Sequence, residues 1–286
     1  MISWILFLVL CMIWGSSFIL MKLGLNALSP YQVATIRILS AGLVLLPFSY
    51  KAFTNVPRKT WPYVILSGVL GSFIPAFLYC IAETRIDSSL AAIFNSLTPL
   101  CTIIAGILFF KLKTRPQKIT GVLIGLIGLV LLPFASGKGV DLKDISFSAL
   151  VVAATISYAF NVNIAAKHLH LTGSANIAAL AFSFLLIPCI IILIATGYFK
   201  NIAAIDSAKI YSTLAAVVLG VCGTALANIL FYSLVKKAGA VFSSLVTYGI
   251  PFIAVIWGLL YSESVTFAEI GCLLIILGGV YIVNRR

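Results

Sequence analysis

Long runs of apolar residues follow one another along the chain, and they limit its fold more than any other feature of the sequence. Each run is about 20 residues long and ends at charged residues, proline or glycine. About 20 apolar residues in an α-helix cross the hydrocarbon core of a bilayer, so the runs predict membrane-spanning helices. The strands of a β-barrel would instead be alternating segments of about ten residues, and these runs do not alternate.

Ten such runs fit into the 286 residues with short connections between them. In the first half, the predicted spans are residues 3–22, 31–50, 61–82, 88–110 and 117–134. In the second half, they are residues 147–166, 174–196, 210–235, 240–261 and 265–283. We therefore predict an all-α integral membrane protein with ten transmembrane helices.

The composition excludes a water-soluble globular domain. Charged residues make up 9% of the chain, against about 25% in a typical soluble protein. The formal charge of +12 is spread in short clusters between the apolar runs, whereas nucleic-acid binders concentrate Lys and Arg on one solvated face. We expect the lipid bilayer to be a partner of this chain, and we expect no nucleic acid partner.

The distribution of Lys and Arg predicts how the chain is oriented. If the N-terminus is cytoplasmic, the cytoplasmic connections hold twelve of these residues and the opposite connections hold six. Because cytoplasmic connections carry the excess of positive charge, we expect both termini to be cytoplasmic in a multi-pass protein of the inner (plasma) membrane. Arg37 is the one basic residue that lies several residues inside a predicted span.

The two halves of the chain repeat a pattern of small residues and proline. Ala91, Pro99 and Gly106 of the fourth span correspond to Ser243, Pro251 and Gly258 of the ninth, at a constant offset of 152 residues. With five spans in each half, the second half enters the membrane from the opposite side, which makes it an inverted repeat. We predict two five-helix repeats, residues 1–135 and 147–286. Such repeats enclose a site near the midplane that opens to each side in turn, so the architecture predicts a transporter.

Several segments together resemble one family. They are IWGSSFILMK in the first span, Arg37 in the second, the order Tyr79, Ala91, Pro99 in the third and fourth, and the glycine-rich closing spans GVLIGLIGLVLL and GCLLIILGGVYIV. In their order, spacing and duplication, these segments resemble the EamA family of the drug/metabolite transporter superfamily over essentially the whole chain. The resemblance implies a ten-helix transporter with cytoplasmic termini, often an exporter of amino acids or related metabolites. One departure is Lys111, which stands where the family has a glutamate that the second half retains as Glu263.

Polar residues inside the spans are the candidate substrate-binding residues, because a polar side chain in hydrocarbon is costly unless it is paired or faces a wet cavity. Five pairs share a helix face by their spacing of three or four residues. The pairs are Trp14 with Ser17, Asn95 with Thr98, Tyr158 with Asn161, Asn228 with Tyr232, and Ser244 with Tyr248. Arg37 and Tyr79 complete the candidate set. The set predicts a cavity of amide, hydroxyl and aromatic groups suited to a small polar or zwitterionic solute.

A structural role is the alternative for each of these residues. Ser, Thr and Asn in membrane helices also bond to neighbouring helices or to their own backbone, contributing about 0.6 kcal/mol each. This alternative is favoured for the Ser and Thr residues and is evenly balanced for the Asn and Tyr residues. For Arg37, the alternatives are snorkelling to the interface, a structural partner, an anionic group of the substrate, or a role in an outer gate.

The carboxylates predict how transport is coupled. Glu83 and Glu263 are the candidates to carry a proton, and both lie at predicted span ends where we expect water to reach them. No carboxylate lies at the centre of a predicted span. The alternatives are therefore weak coupling, facilitated exchange, or a proton path that uses one of these two residues.

Other residue types predict packing rather than chemistry. The six cysteines have no metal-ligand spacing, so we expect neither a metal nor a cofactor. Pro99 and Pro251 are candidate hinges. The closing spans carry glycines at helical spacing, which predict close packing of these spans, with a homodimer face as the alternative. These glycines are Gly121, Gly125, Gly128, Gly271 and Gly278.

The leading hypothesis from the sequence is a secondary transporter that exports an amino acid or a related small polar metabolite by alternating access. One alternative is an importer or exchanger of a larger metabolite such as a nucleotide derivative. Another is a membrane scaffold that transports nothing. The sequence has no H-E-x-x-H motif and no G-x-x-x-x-G-K-[ST] loop, so we expect neither an enzyme nor an ATP-driven pump.

Overall fold

The computed structural model describes residues 2–111, 120, 121, 123–125, 127, 128, 131, 135, 142–200, 206–262 and 266–284. Within this part the chain is helical and forms no strand. The predicted fifth span, residues 117–134, lies largely outside the described residues, and those of its residues that are described are helical.

Nine helices account for most of the described residues. In the first half they are α1 (Ile2–Leu25), α2 (Pro30–Asn55), α3 (Arg58–Ala82) and α4 (Ser88–Phe110). In the second half they are α5 (Leu142–His168), α6 (Ser174–Ala195), α7 (Ser207–Ser244), α8 (Val246–Leu260) and α9 (Phe267–Asn284). Seven helices, α1 to α7, are long and apolar enough to cross a membrane. The chain is therefore an all-helical, multi-pass membrane protein.

A glycine divides α7. Gly239 has φ 81° and ψ 171°, a conformation that other L-residues rarely adopt. The division falls in the connection that the sequence predicts between the spans 210–235 and 240–261. The short helical stretch after Gly239 leads, through a turn at Leu245, into α8.

Polar side chains fix the starts of several helices, because the first N–H groups of a helix have no partner within it. Ser29 and Gln32 form a reciprocal capping box at the start of α2. Asp206 accepts a hydrogen bond from the Lys209 backbone at the start of α7. At α9, the Glu269 carboxylate accepts from the Thr266 backbone N–H at 2.8 Å. Glu269 is therefore buried at the start of α9, where it caps the helix.

The surface of the protein is apolar and its interior is partly polar. Trp4, Leu8 and Met12 are spaced four apart on α1 and are 59, 61 and 63% exposed. Isoleucines form a similar exposed stripe on α6, at residues 187, 191 and 194. The buried residues, by contrast, include asparagines, serines, threonines and an arginine. This arrangement suits a protein that has lipid outside and polar groups enclosed.

Contacts between the two halves occur in equivalent pairs if α1 is matched with α5, α2 with α6, α3 with α7 and α4 with α8. Helix α1 packs on α7 and α8, and α5 packs in the same way on α3 and α4. Helix α2 contacts α7, as α6 contacts α3. Helices α2 and α6 pack on each other, where Ser49 and Ser183 share a hydrogen bond of 2.7 Å.

Two helices contain a π-helical segment at corresponding positions. In α3 the segment is Val69–Phe73, and in α7 it is Val221–Leu226. The two segments begin 152 residues apart, the same offset that relates the fourth and ninth predicted spans. A second interruption lies in α4, where a turn at residues 96 and 97 separates Ser88–Asn95 from Thr98–Phe110. Such segments in membrane helices often occur at functional sites.

The closing spans pack closely, though not through all of the predicted glycines. A Cβ atom on Gly279 would lie 2.6 Å from the Gly121 carbonyl oxygen and 2.6 Å from the Gly125 nitrogen. Gly271 and Gly278 have no atom of the described residues within 4 Å of such a Cβ. The close approach therefore depends on Gly279, which is adjacent to the predicted Gly278.

Candidate functional site

A cavity lies between the helices of the two halves, lined by residues of α1, α2, α3, α4, α5, α7 and α8. The volume of the cavity is about 70 Å³. Because one buried water requires about 10–15 Å³, the cavity accommodates about five waters or a solute of similar size. Its walls combine seven amide or hydroxyl side chains, five aromatic rings and one cation.

Most of the residues that the sequence proposes as a site lie together here. Ten of the twelve line the cavity, and they come from six different helices and from the α7–α8 junction. They are Trp14, Ser17, Arg37, Tyr79, Asn95, Thr98, Tyr158, Asn161, Asn228 and Ser244.

Two predicted residues do not line the cavity. Tyr232 is 2% exposed, and its hydroxyl lies 3.0 Å from the Ser67 hydroxyl. Tyr248 lies near Cys101, and its buried hydroxyl has no hydrogen-bond partner among the described residues. For both residues, the spacing correctly predicts a helix that lines the cavity. It does not predict that the tyrosine ring itself points elsewhere.

The lining also includes seven residues that the sequence analysis did not select: Phe18, Met21, Gly71, Val162, Phe231, Thr247 and Ile250. Two of them carry a signal in the repeat. Thr247 stands 152 residues after Asn95, and Gly71 stands 152 residues before Gly223. Applying the repeat offset to Asn95 would therefore have found Thr247. The apolar members carry no comparable signal.

Arg37 places a cation in the cavity wall. The residue is 8% exposed, so it does not snorkel to an interface. Its Nε donates to the Thr224 hydroxyl at 2.7 Å, and its Nη1 lies 3.7 Å from the Met21 sulfur. The Tyr158 hydroxyl is close enough to interact with the charge. All three partners are neutral, and no acidic side chain is among the described residues that line the cavity.

Asn95 lies at the interruption of α4. Its Oδ1 accepts a hydrogen bond from the Tyr79 hydroxyl at 2.8 Å and a weaker one from the Thr98 hydroxyl at 3.2 Å. The side-chain nitrogen donates to no described residue, and it is not among the fully buried atoms that lack a partner. The amide N–H groups of Asn95 are therefore available to a bound solute.

The π segments of α3 and α7 approach the opposite half in the same way. A Cβ atom on Gly71 would lie 2.3 Å from the Asn161 amide nitrogen, and one on Gly223 would lie 2.7 Å from the Ser17 hydroxyl oxygen. Asn161 in turn bonds to Ser67 of α3. Trp14, one turn before Ser17, donates to the Gly223 carbonyl at 3.0 Å. Glycine at these two positions allows each helix to contact the cavity wall of the other half.

The serine and threonine hydroxyls mostly bond to their own helix, as the structural alternative predicts. Ser17 donates to the Ile13 carbonyl at 2.9 Å, Thr98 to the Asn95 carbonyl at 2.7 Å, and Ser244 to the Val241 carbonyl at 2.8 Å. These hydroxyls satisfy their donors locally and offer only acceptor lone pairs to the cavity. Among the lining asparagines, Asn95 keeps N–H donors that no described residue accepts, whereas the Asn228 amide donates to the Thr224 carbonyl at 2.8 Å and to the Ser72 hydroxyl at 3.5 Å.

Of the two coupling candidates, Glu83 and Glu263, the structure describes only Glu83. Glu263 lies outside the described residues. Glu83 follows Tyr79 by one helical turn, is 9% exposed and accepts a hydrogen bond from Ser88 at 3.1 Å. Glu83 is therefore buried, which differs from the solvated span end that the sequence suggests, and it does not line the cavity.

Aromatic rings form a large part of the cavity wall. Phe18 packs edge-on against Tyr79 with ring centroids 5.6 Å apart, and Tyr79 stacks with Tyr158 at 6.0 Å. On another side, Trp14 and Phe231 lie 5.2 Å apart. The cavity thus offers hydrogen-bond groups, one positive charge and aromatic faces, the kinds of group that line small-molecule sites in proteins.

A family model described as the EamA-like transporter family matches residues 1–134 and again residues 146–285. An uncharacterized transporter of Archaeoglobus fulgidus is 25% identical, over 99% of this chain and 99% of the relative. A probable amino-acid metabolite efflux pump of Salmonella typhimurium is 27% identical, over 53% of this chain and 49% of the relative.

A solved structure, titled only as the crystal structure of a protein, has the same fold with a TM-score of 0.67. The match covers 99% of this chain and 96% of that chain at 17% sequence identity. At that identity the likeness concerns the fold alone.

Two substitutions of buried tyrosine by phenylalanine compare the loss of a hydroxyl that is hydrogen-bonded with the loss of one that has no partner among the described residues. We expect Tyr79→Phe to lower the unfolding free energy by about 0.6–1.7 kcal/mol, because Asn95 loses a hydrogen bond. The matched control, Tyr248→Phe, removes a hydroxyl without a described partner and should leave stability unchanged or raise it. Thermal unfolding of the purified variants in detergent measures both effects. Equal destabilisation by the two changes would contradict these bonding patterns.

Proposed function

This chain belongs to the EamA-like transporter family, and from that premise we propose that it is a secondary transporter that exports an amino acid or a related small polar metabolite by alternating access. The observation that carries the proposal is the cavity enclosed between helices of the two halves, with Arg37 and the asparagines in its wall. A solute that binds there contacts both halves at once. Rocking of one half against the other would expose it to each side in turn.

We propose ten transmembrane helices in two inverted repeats, residues 1–135 and 147–286. Three observations support this arrangement. The family model matches the chain twice, the helix contacts occur in matching pairs, and the two π segments lie 152 residues apart. The bias of Lys and Arg supports cytoplasmic termini in the inner membrane.

The proposed substrate site consists of the ten predicted lining residues together with Gly71 and Thr247. The size of the cavity favours a small solute over a nucleotide derivative, because it accommodates about five waters in this conformation. Export is favoured over import by one relative, which is named a probable amino-acid metabolite efflux pump. The interruptions of α3, α4 and α7 beside the cavity are the proposed places where the helices bend.

The first experiment measures transport by the purified protein in liposomes with labelled amino acids. We expect saturable flux. In Asn95→Ala and Asn228→Ala we expect flux per molecule to fall by about tenfold or more, the effect of losing about 1.4 kcal/mol of binding to the solute.

The matched control is Asn163→Ala. Asn163 is also buried, but it bonds to the Thr102 and Ala159 carbonyls and does not line the cavity. We expect this variant to lose stability while flux per folded molecule persists. Equal flux in all three variants would remove Asn95 and Asn228 from the site. No saturable flux in the unmodified protein would instead favour a membrane scaffold.

For coupling, we propose a proton path through Glu83, with solute exchange as the alternative. The support is its burial one turn from the cavity residue Tyr79. Raising the pH on one side at a fixed solute gradient should change flux in the unmodified protein and in Glu269→Gln, which alters a helix-capping carboxylate. Glu83→Gln should not respond. If the unmodified protein is also indifferent to the pH gradient, transport is not proton-coupled.

A further inference from the structure

Among the described residues, the side chains that contact the Arg37 guanidinium are neutral. Its contacts are the Thr224 hydroxyl, the Met21 sulfur and the Tyr158 hydroxyl. Burying an arginine to this degree in a membrane helix is costly unless the charge is paired or faces a polar space. Hydrogen bonds to neutral groups hold its geometry but leave the positive charge unbalanced within the described wall of the cavity.

The rest of the described wall holds no acidic side chain and no second basic side chain that would pair with another charge on the solute. Among the described residues, the other polar lining groups are neutral amides and hydroxyls. Glu83 has its carboxylate at Ser88, outside the lining. A cationic solute would therefore meet a like charge with no carboxylate beside it, and a dianion would bring one charge more than the wall can pair.

The aromatic rings identify the rest of the solute. Phe18, Tyr79, Tyr158 and Phe231 present apolar faces to the same cavity that Arg37 enters. An apolar side chain gains free energy by leaving water for such a surface. An ammonium group next to a carboxylate is also accommodated over a tyrosine or tryptophan face.

We infer that the cavity recognises solutes with a single carboxylate, which pairs with Arg37, and an apolar body, which lies against the aromatic wall. The inference rests on the proposed transport function and specifies its substrate class. An ammonium group is tolerated but is not required. Amines without a carboxylate and dicarboxylates are rejected.

Three solutes that share a 3-methylbutyl group test whether the carboxylate, and not the ammonium group, is required for binding. Leucine is the zwitterion, 4-methylpentanoate lacks the ammonium group, and 3-methylbutylamine lacks the carboxylate. Dissociation constants come from the ligand-dependent rise in melting temperature of the purified protein, because a ligand that binds the native state stabilises it. We expect both carboxylates to bind about tenfold or more tightly than the amine, since burying a charge beside its partner has at least this effect. Pentanoate should likewise bind more tightly than glutarate.

Substitutions of Arg37 and of its neighbour Thr224 test whether Arg37 causes the preference for carboxylates over the amine. In Arg37→Met the preference for 4-methylpentanoate over 3-methylbutylamine should disappear. Arg37→Lys should keep the preference with weaker binding, because lysine retains the charge but loses the bidentate geometry. Thr224→Val removes the hydroxyl that accepts from Arg37 Nε and serves as the positioning control. It should weaken binding of all the carboxylates and keep the order of the three solutes.

The binding measurements test the carboxylate preference, and the flux measurements test the proposed transport function, so the two proposals can fail independently. Equal binding of acid and amine by the unmodified protein, no binding of either carboxylate, or an intact preference in Arg37→Met would overturn it. If Arg37→Met does not fold, the ranking in Arg37→Lys and the unmodified protein still decides, because a lost preference in either contradicts it. The same solutes are then tested as competitors of flux in liposomes. Binding in the expected order without any saturable flux would leave the carboxylate site intact and reject transport.

Discussion

The rest of this structure depends on one constraint: an arginine and a set of asparagines are held inside helices that lipid surrounds. Burying such groups in hydrocarbon is costly unless they are bonded or face an enclosed polar space. The protein meets this cost by exposing apolar residues such as Leu8 and Met12 outward and turning Arg37 and Asn95 inward. Thr224 and Tyr79, one from each half of the chain, supply the bonds that hold those two side chains. Because the bond between Arg37 and Thr224 joins the two halves, the polar interior takes part in their packing, and the cavity is the space between them.

The interruptions of α3, α4 and α7 are places where these helices can bend beside the cavity. A π segment or a turn frees backbone groups and lets a helix bend, and in lipid such irregular backbone is tolerated only where protein or an aqueous cavity covers it. Gly71 and Gly223 lie in the two π segments, where they contact Asn161 and Ser17 of the other half. The proposed bending sites and the proposed solute-contacting residues therefore coincide. A solute that draws Arg37 and the aromatic rings together would act directly on the segments best able to move, as the proposed transport requires.

Much of this could be predicted from the sequence, because membrane helices and polar residues within them leave strong local signals. The bounds of α1 to α6 agree with the predicted spans to within a few residues, and ten of twelve candidate residues line the cavity. Tyr232 and Tyr248 do not line it, because a spacing of four residues identifies a helix face but not the neighbouring helix that this face contacts. The sequence analysis missed the burial of Glu83 for the same reason, since Ser88, which donates a hydrogen bond to it, begins the next helix. The π segments have no periodic signal, and only the 152-residue offset applied to Gly71 and Gly223 would have indicated them.

The central claim is that a single cavity between the two halves faces each side of the membrane in turn. The most direct measurement introduces one cysteine at Thr247, a lining residue that is 6% exposed, in a chain whose six native cysteines have been replaced. A membrane-impermeant thiol reagent is then applied from either side of oriented vesicles. The account predicts reaction from both sides, slowed on each side by a transported solute. Reaction from one side only, under every solute and ion condition, would contradict it.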